Sequence, residues 1–245
     1  MKTNLGLQLF SLRQKCDENL ENVFSALSRA GYDGVEFYSF YNIEAGEMRQ
    51  LLNKYNLKAM GTHTGIEALT TGLDDLIRYC TEIGGKYVTL AYYNSDTKDG
   101  WLKLCEILDK AGKELRSNGL TLLYHNHAHE FELCFDGEMP EDIILNNTSS
   151  VNLSLELDIY WAQYAGIDPE KYFKDNLSRI RTVHLKDMDK IEKKMTEVGT
   201  GRINCAGIYK LCKQSDFDWV ILEQDEIYID PFESVKISLD NVKRF

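Results

Sequence analysis

Short apolar runs alternate with amphipathic stretches of helical spacing along the whole 245-residue chain. This alternation predicts repeated strand–helix units and a parallel sheet. The last helix is expected near Pro231 to Lys243, because proline suits the first turn of a helix. We count eight units, whose strands begin near Leu5, Gly34, Lys58, Tyr87, Thr121, Asn152, Thr182 and Trp219.

Two architectures accommodate eight parallel strands, a closed barrel and an open doubly wound sheet. The first strand is not followed by the glycine-rich phosphate-binding turn that usually marks the doubly wound class. The length is close to the roughly 250 residues typical of a barrel, and no Pro/Gly/Ser-rich linker divides the chain. The sequence therefore predicts an α/β fold, a (β/α)₈ TIM barrel formed by a single domain over residues 1–245.

The predicted strands carry polar residues on one face, although both faces of a barrel strand are buried and usually apolar. In residues 151–158 the alternation places every leucine on one face and Glu156 and Asp158 on the other. Because helices cover the leucine face, we expect the polar face to point into the barrel. The same phase gives further inward residues on other strands: Gln8, Glu36, His63, His125, His184, Lys186 and Glu223.

Active sites of TIM barrels lie at the C-terminal ends of the strands, so we expect these residues to form one site. Gln8, Glu36 and His63 are each as compatible with a structural hydrogen bond as with a substrate contact. The strand that contains His125 is expected to end soon after it, which leaves His129 in a loop.

Charge and composition narrow the range of partners. The net charge is −11 and no basic stripe is present, which argues against nucleic-acid binding. The six cysteines form no C-x-x-C pair and are expected to be reduced. No signal-peptide pattern and no membrane-spanning apolar run is recognised. We therefore expect a cytoplasmic protein that acts on a small molecule.

Seven short motifs follow one another at the predicted strand ends. They are residues 6–13 (GLQLFSLR), 31–36 (GYDGVE), 124–127 (YHNH), 157–161 (LDIYW), 184–187 (HLKD), 199–204 (GTGRIN) and 223–225 (EQD). In this order they resemble the xylose isomerase-like barrels, the sugar phosphate isomerase/epimerase family that also contains inosose dehydratases. The apurinic endonuclease relatives of this barrel use three metal ions, and five histidines with a charge of −11 argue against that class.

The resemblance implies one divalent metal ion, held by a Glu, an Asp, a His and a second Glu on the last four strands. Asp158, His184 and Glu223 match the last three positions, and His125 stands where the first glutamate is expected. Glu156 is the alternative fourth ligand. Such a set suits Mn²⁺, Co²⁺, Zn²⁺ or Mg²⁺, and no organic cofactor is predicted.

The resemblance also implies an isomerase or epimerase that acts on a keto-sugar or keto-polyol through an enediolate stabilised by the metal. The YHNH form resembles the inosose dehydratase branch, so elimination of water is the alternative, and a non-catalytic sugar-binding barrel is a more distant one. The family also allows a homo-oligomer. The loop at residues 199–201 lacks the P-loop ending, which favours an unphosphorylated sugar.

Roles follow from residue chemistry and from the resemblance. The predicted catalytic groups are Glu223 as the base, His125 or His63 as an acid, and Lys186 as a donor to substrate oxygens. For Lys186, a role in offsetting the charge of nearby carboxylates is equally compatible with the sequence. The predicted substrate contacts are Gln8, Glu36, Glu156, Trp161 and Arg202.

Overall fold

In the computed structural model, which describes residues 3–245, eight parallel strands close into a barrel in the order β1-β10-β7-β6-β5-β4-β3-β2. The predicted (β/α)₈ fold is therefore confirmed. The barrel strands are β1 (Asn4–Gln8), β2 (Gly34–Phe37), β3 (Lys58–Thr64), β4 (Tyr87–Leu90), β5 (Thr121–His125), β6 (Leu153–Asp158), β7 (Ile180–Leu185) and β10 (Trp219–Leu222).

Helices connect the strands and cover the outside of the barrel. They are a 3₁₀ helix (Leu9–Leu12), α1 (Arg13–Ala30), α2 (Ala45–Lys54), α3 (Ile66–Thr70), α4 (Leu73–Ile83), α5 (Lys98–Ser117), α6 (His129–Glu132), α7 (Pro140–Asn147), α8 (Ile159–Tyr164), α9 (Pro169–Asp175), α10 (Cys205–Gln214) and α11 (Pro231–Val242). A small antiparallel hairpin, β8 (Asp187–Met188) and β9 (Met195–Thr196), follows the seventh barrel strand. Within the described residues, no helix is long and apolar enough to cross a membrane.

Two local expectations differ from the structure. Strand β7 begins at Ile180, two residues before the expected Thr182, because Ile180 already pairs with Leu155 of β6. His129 was expected in a loop, but it begins the one-turn helix α6. The helical hydrogen bond from the Leu133 N–H to the His129 carbonyl closes this turn.

The buried apolar residues form two clusters. The larger cluster lies between the barrel and its helices and includes Leu153, Leu155 and Leu157 of β6, as the alternation predicts. The smaller cluster fills the inside of the barrel with Met60, Tyr87, Leu123, Trp219 and Ile221. A Cβ atom at Gly34 would lie 2.3 Å from the Lys58 carbonyl oxygen and 2.7 Å from the Trp219 ring, so glycine here makes room for the neighbouring strand and for a large residue of the barrel interior.

The strand register brings the inward polar residues next to one another. Gln8 pairs with Glu36 across β1 and β2, His125 with Glu156 across β5 and β6, and Asp158 with His184 across β6 and β7. All six side chains are buried. Hydrophobic packing outside the barrel therefore positions a set of ionisable groups inside it.

Candidate active site

Four predicted ligands meet at the C-terminal ends of the last four barrel strands. Their ligand atoms all lie within 4.8 Å of one another, so the group has the composition and size of a metal site. The His184 Nδ1 atom is 2.7 Å from Glu223 Oε2, and His125 Nε2 is 3.6 Å from Asp158 Oδ2. We call this group of His125, Asp158, His184 and Glu223 the outer cluster.

A second group lies beneath the first. His63, His125, Glu156 and His184 also bring their ligand atoms within 4.8 Å of one another. His63 Nε2 is 2.7 Å from Glu156 Oε2, and His184 Nε2 is 2.8 Å from Glu36 Oε2. We call these five residues, His63, His125, Glu156, His184 and Glu36, the inner cluster.

The two clusters share two imidazoles, and each imidazole presents one nitrogen to each cluster. His184 directs Nδ1 at Glu223 and Nε2 at Glu36. His125 directs Nε2 at Asp158, and its Nδ1 lies 3.4 Å from Glu156 Oε2 without forming a directed hydrogen bond. The His125 and His184 rings therefore separate an outer layer of carboxylates from an inner layer.

A lysine lies among the outer carboxylates. Lys186 Nζ is 2.7 Å from Glu223 Oε2, 3.0 Å from Asp158 Oδ2 and 3.1 Å from both carboxylate oxygens of Asp225. Burial acts to lower the pKa of Lys186, but these three carboxylates outweigh burial and hold the pKa well above its ordinary value. The ammonium therefore stays charged.

Burial and neighbouring charges set opposite protonation tendencies on the two shared histidines. Burial lowers the pKa of His125 well below its usual range. Burial also acts to lower the pKa of His184, but the carboxylates of Glu156, Glu223 and Glu36 hold it well above the usual range. His125 is therefore a neutral imidazole.

Glu223 is an ionised carboxylate. Burial acts to raise its pKa, but Lys186 and His184 hold it well below the ordinary value. This direction is opposite to the upward tuning expected for a base matched to neutral pH. The charge of Lys186, which was expected either to contact substrate or to offset nearby carboxylates, accounts for the difference.

The two carboxylate oxygens of Asp158 have different roles: Oδ1 caps a helix and Oδ2 faces the outer cluster. Its Oδ1 accepts the backbone N–H groups of Tyr160 and Trp161 and so caps α8. Its Oδ2 is buried and lies 3.0 Å from Lys186 Nζ, but it accepts no directed hydrogen bond from the described residues. Asn126 bonds both the N–H and the carbonyl of Asp158, which ties the end of β5 to the end of β6.

Glu130 holds the segment after β5. Its buried carboxylate accepts hydrogen bonds from the Tyr124 hydroxyl and from the His127 backbone N–H, both 2.7 Å long. Burial raises the pKa of Glu130 to about 7. The position of the His127 ring at the site therefore depends on a residue that sequence reasoning did not single out.

A cavity of about 430 Å³ opens above the outer cluster, within the usual size range of small-molecule sites. The predicted catalytic residues His63, His125, Lys186 and Glu223 all line it. The other lining residues are Phe10, Tyr38, Thr64, Gly65, Ala91, Tyr92, His127 and Asp225.

The predicted substrate contacts are not among these lining residues. Gln8, Glu36 and Glu156 are fully buried below the cavity, because the inward phase of a strand does not say how deep a residue lies. The Trp161 ring packs beside the His127 ring, with 5.6 Å between the two ring centroids. Arg202 is exposed and contacts Met188 Sδ of the hairpin, so this predicted substrate contact does not line the cavity.

His127 and Asp225 line the cavity but were not predicted to do so. Both follow an identified residue by two positions, His125 and Glu223, so continued alternation beyond the strand end would have found them. Burial lowers the pKa of His127 to about 3, and burial raises that of Asp225 to about 6.

The residues present fit a divalent cation. The outer cluster offers two imidazole nitrogens and two carboxylates, a donor set used by transition metals. Asp158 Oδ2 is buried and has an ion pair with Lys186 but no well-directed hydrogen bond. A cation between this oxygen and the other closely spaced ligand atoms would satisfy it.

The sequence from residue 24 to residue 244 matches the family described as xylose isomerase-like TIM barrel. The chain belongs to this family. The match includes every member of the outer cluster. Among curated relatives of this xylose isomerase-like barrel, the inosose dehydratase of Mesomycoplasma hyopneumoniae is 25% identical, over 93% of this chain and 89% of the relative.

A second curated relative of this family member is the inosose dehydratase of Clostridium beijerinckii. It is 21% identical, over 89% of this chain and 86% of the relative. A solved sugar phosphate isomerase/epimerase from Parabacteroides distasonis is similar in fold, with a TM-score of 0.83 and 21% identity over 98% of this chain and 95% of that one. The family assignment made from the motifs is thus confirmed.

Proposed function

We propose that this xylose isomerase-like barrel uses a divalent cation to remove a proton next to the carbonyl of a keto-sugar or keto-polyol, and that it then eliminates water. The observation that carries the proposal is the asymmetry of the cavity walls. Both lining carboxylates, Glu223 and Asp225, follow β10, whereas β3 and β5 supply His63, His125 and His127. In the barrel order, β10 lies across from β3 to β5.

Glu223 is the base in this proposal. Its carboxylate is ionised and lines the cavity, so it accepts the proton from the carbon next to the carbonyl. Lys186 lies 2.7 Å away and its ammonium donates to a substrate oxygen on the same side. The negative charge that develops on oxygen is then close to a fixed positive charge.

The cation belongs to the outer cluster in this proposal. His125, Asp158, His184 and Glu223 would hold it, and Mn²⁺, Co²⁺, Zn²⁺ and Mg²⁺ all suit these donors. A bound cation supplies Lewis-acid stabilisation of the oxygen charge that develops during deprotonation.

Elimination fits the asymmetric walls better than epimerisation by two carboxylates. Inversion at one carbon needs a proton donor and a proton acceptor on opposite faces, and here the wall across from Glu223 carries imidazoles. His63 lines that wall, and the carboxylates of Glu36 and Glu156 raise its pKa against the lowering effect of burial. An imidazolium at this position is suited to protonate a departing hydroxyl group.

Isomerisation by a single base is the second candidate. Glu223 alone suffices to move a proton between neighbouring carbons on one face, and the cavity holds no other carboxylate except Asp225, which is engaged with Lys186. Both candidates share deprotonation by Glu223 and differ only in the fate of the anion.

The substrate in this proposal carries no phosphate. The backbone N–H groups of Gly199, Gly201, Met188 and Ile203, the usual kind of anion cradle, all bond the Asp187 carboxylate. The only Lys or Arg side chain among the cavity-lining residues is Lys186, and three carboxylates already surround it.

We propose that the protein works in the cytoplasm. All six cysteines are free thiols and five of them are buried, as expected in a reducing compartment.

The test is incubation with a panel of ketoses and inososes in D₂O with added Mn²⁺ or Co²⁺, followed by NMR. We expect deuterium exchange with loss of water to an enone. Glu223→Gln should abolish both, whereas Glu226→Gln, a change at an exposed glutamate three residues further on, should retain both.

Exchange without elimination would establish the isomerase instead. No exchange with any substrate, despite a bound cation, would leave a sugar-binding barrel as the remaining explanation. Equal rates for Glu223→Gln and the unaltered protein would contradict the role of Glu223 as the base.

A further inference from the structure

We propose that Glu36 and Glu156, the inner carboxylates, are positioning residues that fix which ring nitrogen the shared histidines present to the cation of the outer cluster. The inference rests on the proposed cation site and assigns a role to residues that the substrate does not reach. Glu36 and Glu156 are both 0% exposed, and neither lines the cavity.

The contact of His184 with Glu36 sets its tautomer. A carboxylate accepts a hydrogen bond, so the 2.8 Å contact between His184 Nε2 and Glu36 Oε2 places the ring proton on Nε2. Nδ1 lies 2.7 Å from Glu223 Oε2 in the outer cluster, so it also carries a proton while no cation is bound. A cation in the outer cluster would take the place of that proton, and Nδ1 is then the nitrogen that His184 presents to it. A histidine ligand that donates its other N–H to a carboxylate is fixed in orientation and is a stronger base toward metal.

Glu36 is itself held in place. Gln8 Nε2 donates to Glu36 Oε2 over 2.8 Å, and Gln8 Oε1 accepts the Phe10 N–H over 3.1 Å. Because the amide orientation is fixed at both ends, Gln8 can only donate to Glu36. The chain of bonds runs from the 3₁₀ helix after β1, through Gln8 and Glu36, to the ligand His184.

Glu156 acts in the same way on the other side of the inner cluster. Its Oε1 accepts the Thr182 hydroxyl over 2.9 Å, and its Oε2 lies 2.7 Å from His63 Nε2. His125 Nδ1 is 3.4 Å from the same Oε2 and has no directed hydrogen bond. Glu156 Oε2 also lies 3.3 Å from His184 Nε2, farther than the 2.8 Å of Glu36 Oε2. Glu156 therefore holds His63 firmly and both shared histidines more weakly, so we expect Glu36 to matter more for cation affinity than Glu156.

The experiment measures Co²⁺ binding to the purified chain by visible absorption and calorimetry, with no substrate present. Loss of a carboxylate that orients a histidine ligand typically weakens metal binding about 10- to 100-fold. We expect that loss in Glu36→Gln, a smaller loss in Glu156→Gln, and one Co²⁺ per chain throughout. Gln8→Met keeps both inner carboxylates and removes only the hydrogen bond that Gln8 donates to Glu36. This variant should bind Co²⁺ several-fold more weakly.

The matched control is Glu141→Gln, which changes a glutamate that is also buried, with 1% exposure. Its carboxylate accepts the Tyr172 hydroxyl and belongs to neither cluster. It should leave Co²⁺ affinity unchanged. A tautomer readout accompanies the titration: with diamagnetic Zn²⁺ bound, nitrogen NMR of the five histidines should show the ring proton of His184 on Nε2 in the unaltered chain and a mixture of tautomers in Glu36→Gln.

Two results would overturn the inference. The first is unchanged affinity and an unchanged His184 tautomer in Glu36→Gln. The second is binding of two Co²⁺ ions per chain with one lost in the inner variants, because Glu36 and Glu156 would then be ligands themselves.

Failure of the proposed function is read separately, from Asp158→Asn. If that variant loses Co²⁺ and Glu36→Gln does not, only the positioning role is wrong. If Asp158→Asn and Glu223→Gln both bind Co²⁺ like the unaltered chain, the outer cluster is not the cation site.

Discussion

The Lys186 ammonium lies 2.7 Å from the Glu223 carboxylate, and both groups are almost completely buried at the floor of the cavity. A fixed positive charge therefore occupies part of the space around the carboxylates that we assign to the cation. The two charges repel each other through the low dielectric of the site, although Lys186 also supplies a donor for the reaction.

Lys186→Met should separate these two effects. Removing the ammonium should tighten Co²⁺ binding by about tenfold or more, because two unit charges about 4 Å apart interact by several kcal/mol at the effective dielectric of a protein. Turnover should fall, since the donor to the substrate oxygen is lost. Calorimetry and steady-state kinetics on the same preparation check both parts.

Lys190→Met is the control, since Lys190 is exposed in the loop that follows. It should change neither quantity. Weaker Co²⁺ binding in Lys186→Met would show that Lys186 supports the cation site instead of opposing it.

Tyr92→Ala should raise KM about three- to tenfold and leave kcat within about twofold, because an aromatic contact is worth roughly 0.5–1.5 kcal/mol and acts equally on substrate and transition state. Tyr92 lines the cavity and is 55% exposed, so its loss should not unfold the protein. Tyr228→Ala, at a 60% exposed tyrosine that does not line the cavity, should leave both constants unchanged. A fall in kcat with constant KM would contradict this simple binding role.

Asp187→Asn should destabilise the fold by about 3 kcal/mol or more, since hydrogen bonds to a buried charged group contribute roughly 1.5–3 kcal/mol each. The Asp187 side chain accepts four backbone N–H groups and is 1% exposed. Urea unfolding followed by circular dichroism measures the loss. Asp189→Asn removes similar bonds to backbone N–H groups in a solvent-exposed part of the same loop and should cost much less; equal losses would contradict the importance of burial.

Glu141 should make the protein less stable as pH rises. Burial raises its pKa from 4.5 to about 8, so the folded chain keeps a proton that the unfolded chain releases above pH 4.5. Stability from this group is complete below pH 4.5 and is lost as pH rises toward 8, by about 1.4 kcal/mol per pH unit.

Glu141→Gln should remove that slope. The measurement is the free energy of unfolding from urea titrations at several pH values between 5 and 8. Glu132→Gln, at an exposed glutamate, should keep the slope of the unaltered protein. Parallel curves for Glu141→Gln and the unaltered protein would show that Glu141 is ionised in the folded state.

Strand periodicity accounts for what the sequence predicted well. A side chain two positions along a strand returns to the same face, so the sequence alone predicts that Asp158, His184 and Glu223 point into the barrel. The leucines of β6 define the opposite face, and helices cover that face. The eight-unit pattern predicted the barrel for the same reason.

Depth and loop geometry account for what the sequence did not predict. Glu156 and Asp158 share a face, but the register places Glu156 beside His125 and Asp158 beside His184, one level higher. Phase alone does not contain this information, because it depends on how neighbouring strands are staggered. Arg202 lies in a loop with no periodicity, so its direction is set by the contacts of the hairpin.

The loop around Asp187 already contains its own anion, which limits the redesign of this barrel for phosphorylated sugars. Four N–H groups converge on a carboxylate that the chain itself provides, and a Cβ at Gly201 would come within 2.3 Å of that carboxylate. A variant that binds a sugar phosphate in this loop must therefore first lose the Asp187 carboxylate and then regain the lost stability through other substitutions. We expect no single substitution to make this loop a phosphate site, because replacing Asp187 breaks the hydrogen bonds that hold the loop in the shape that such a site needs.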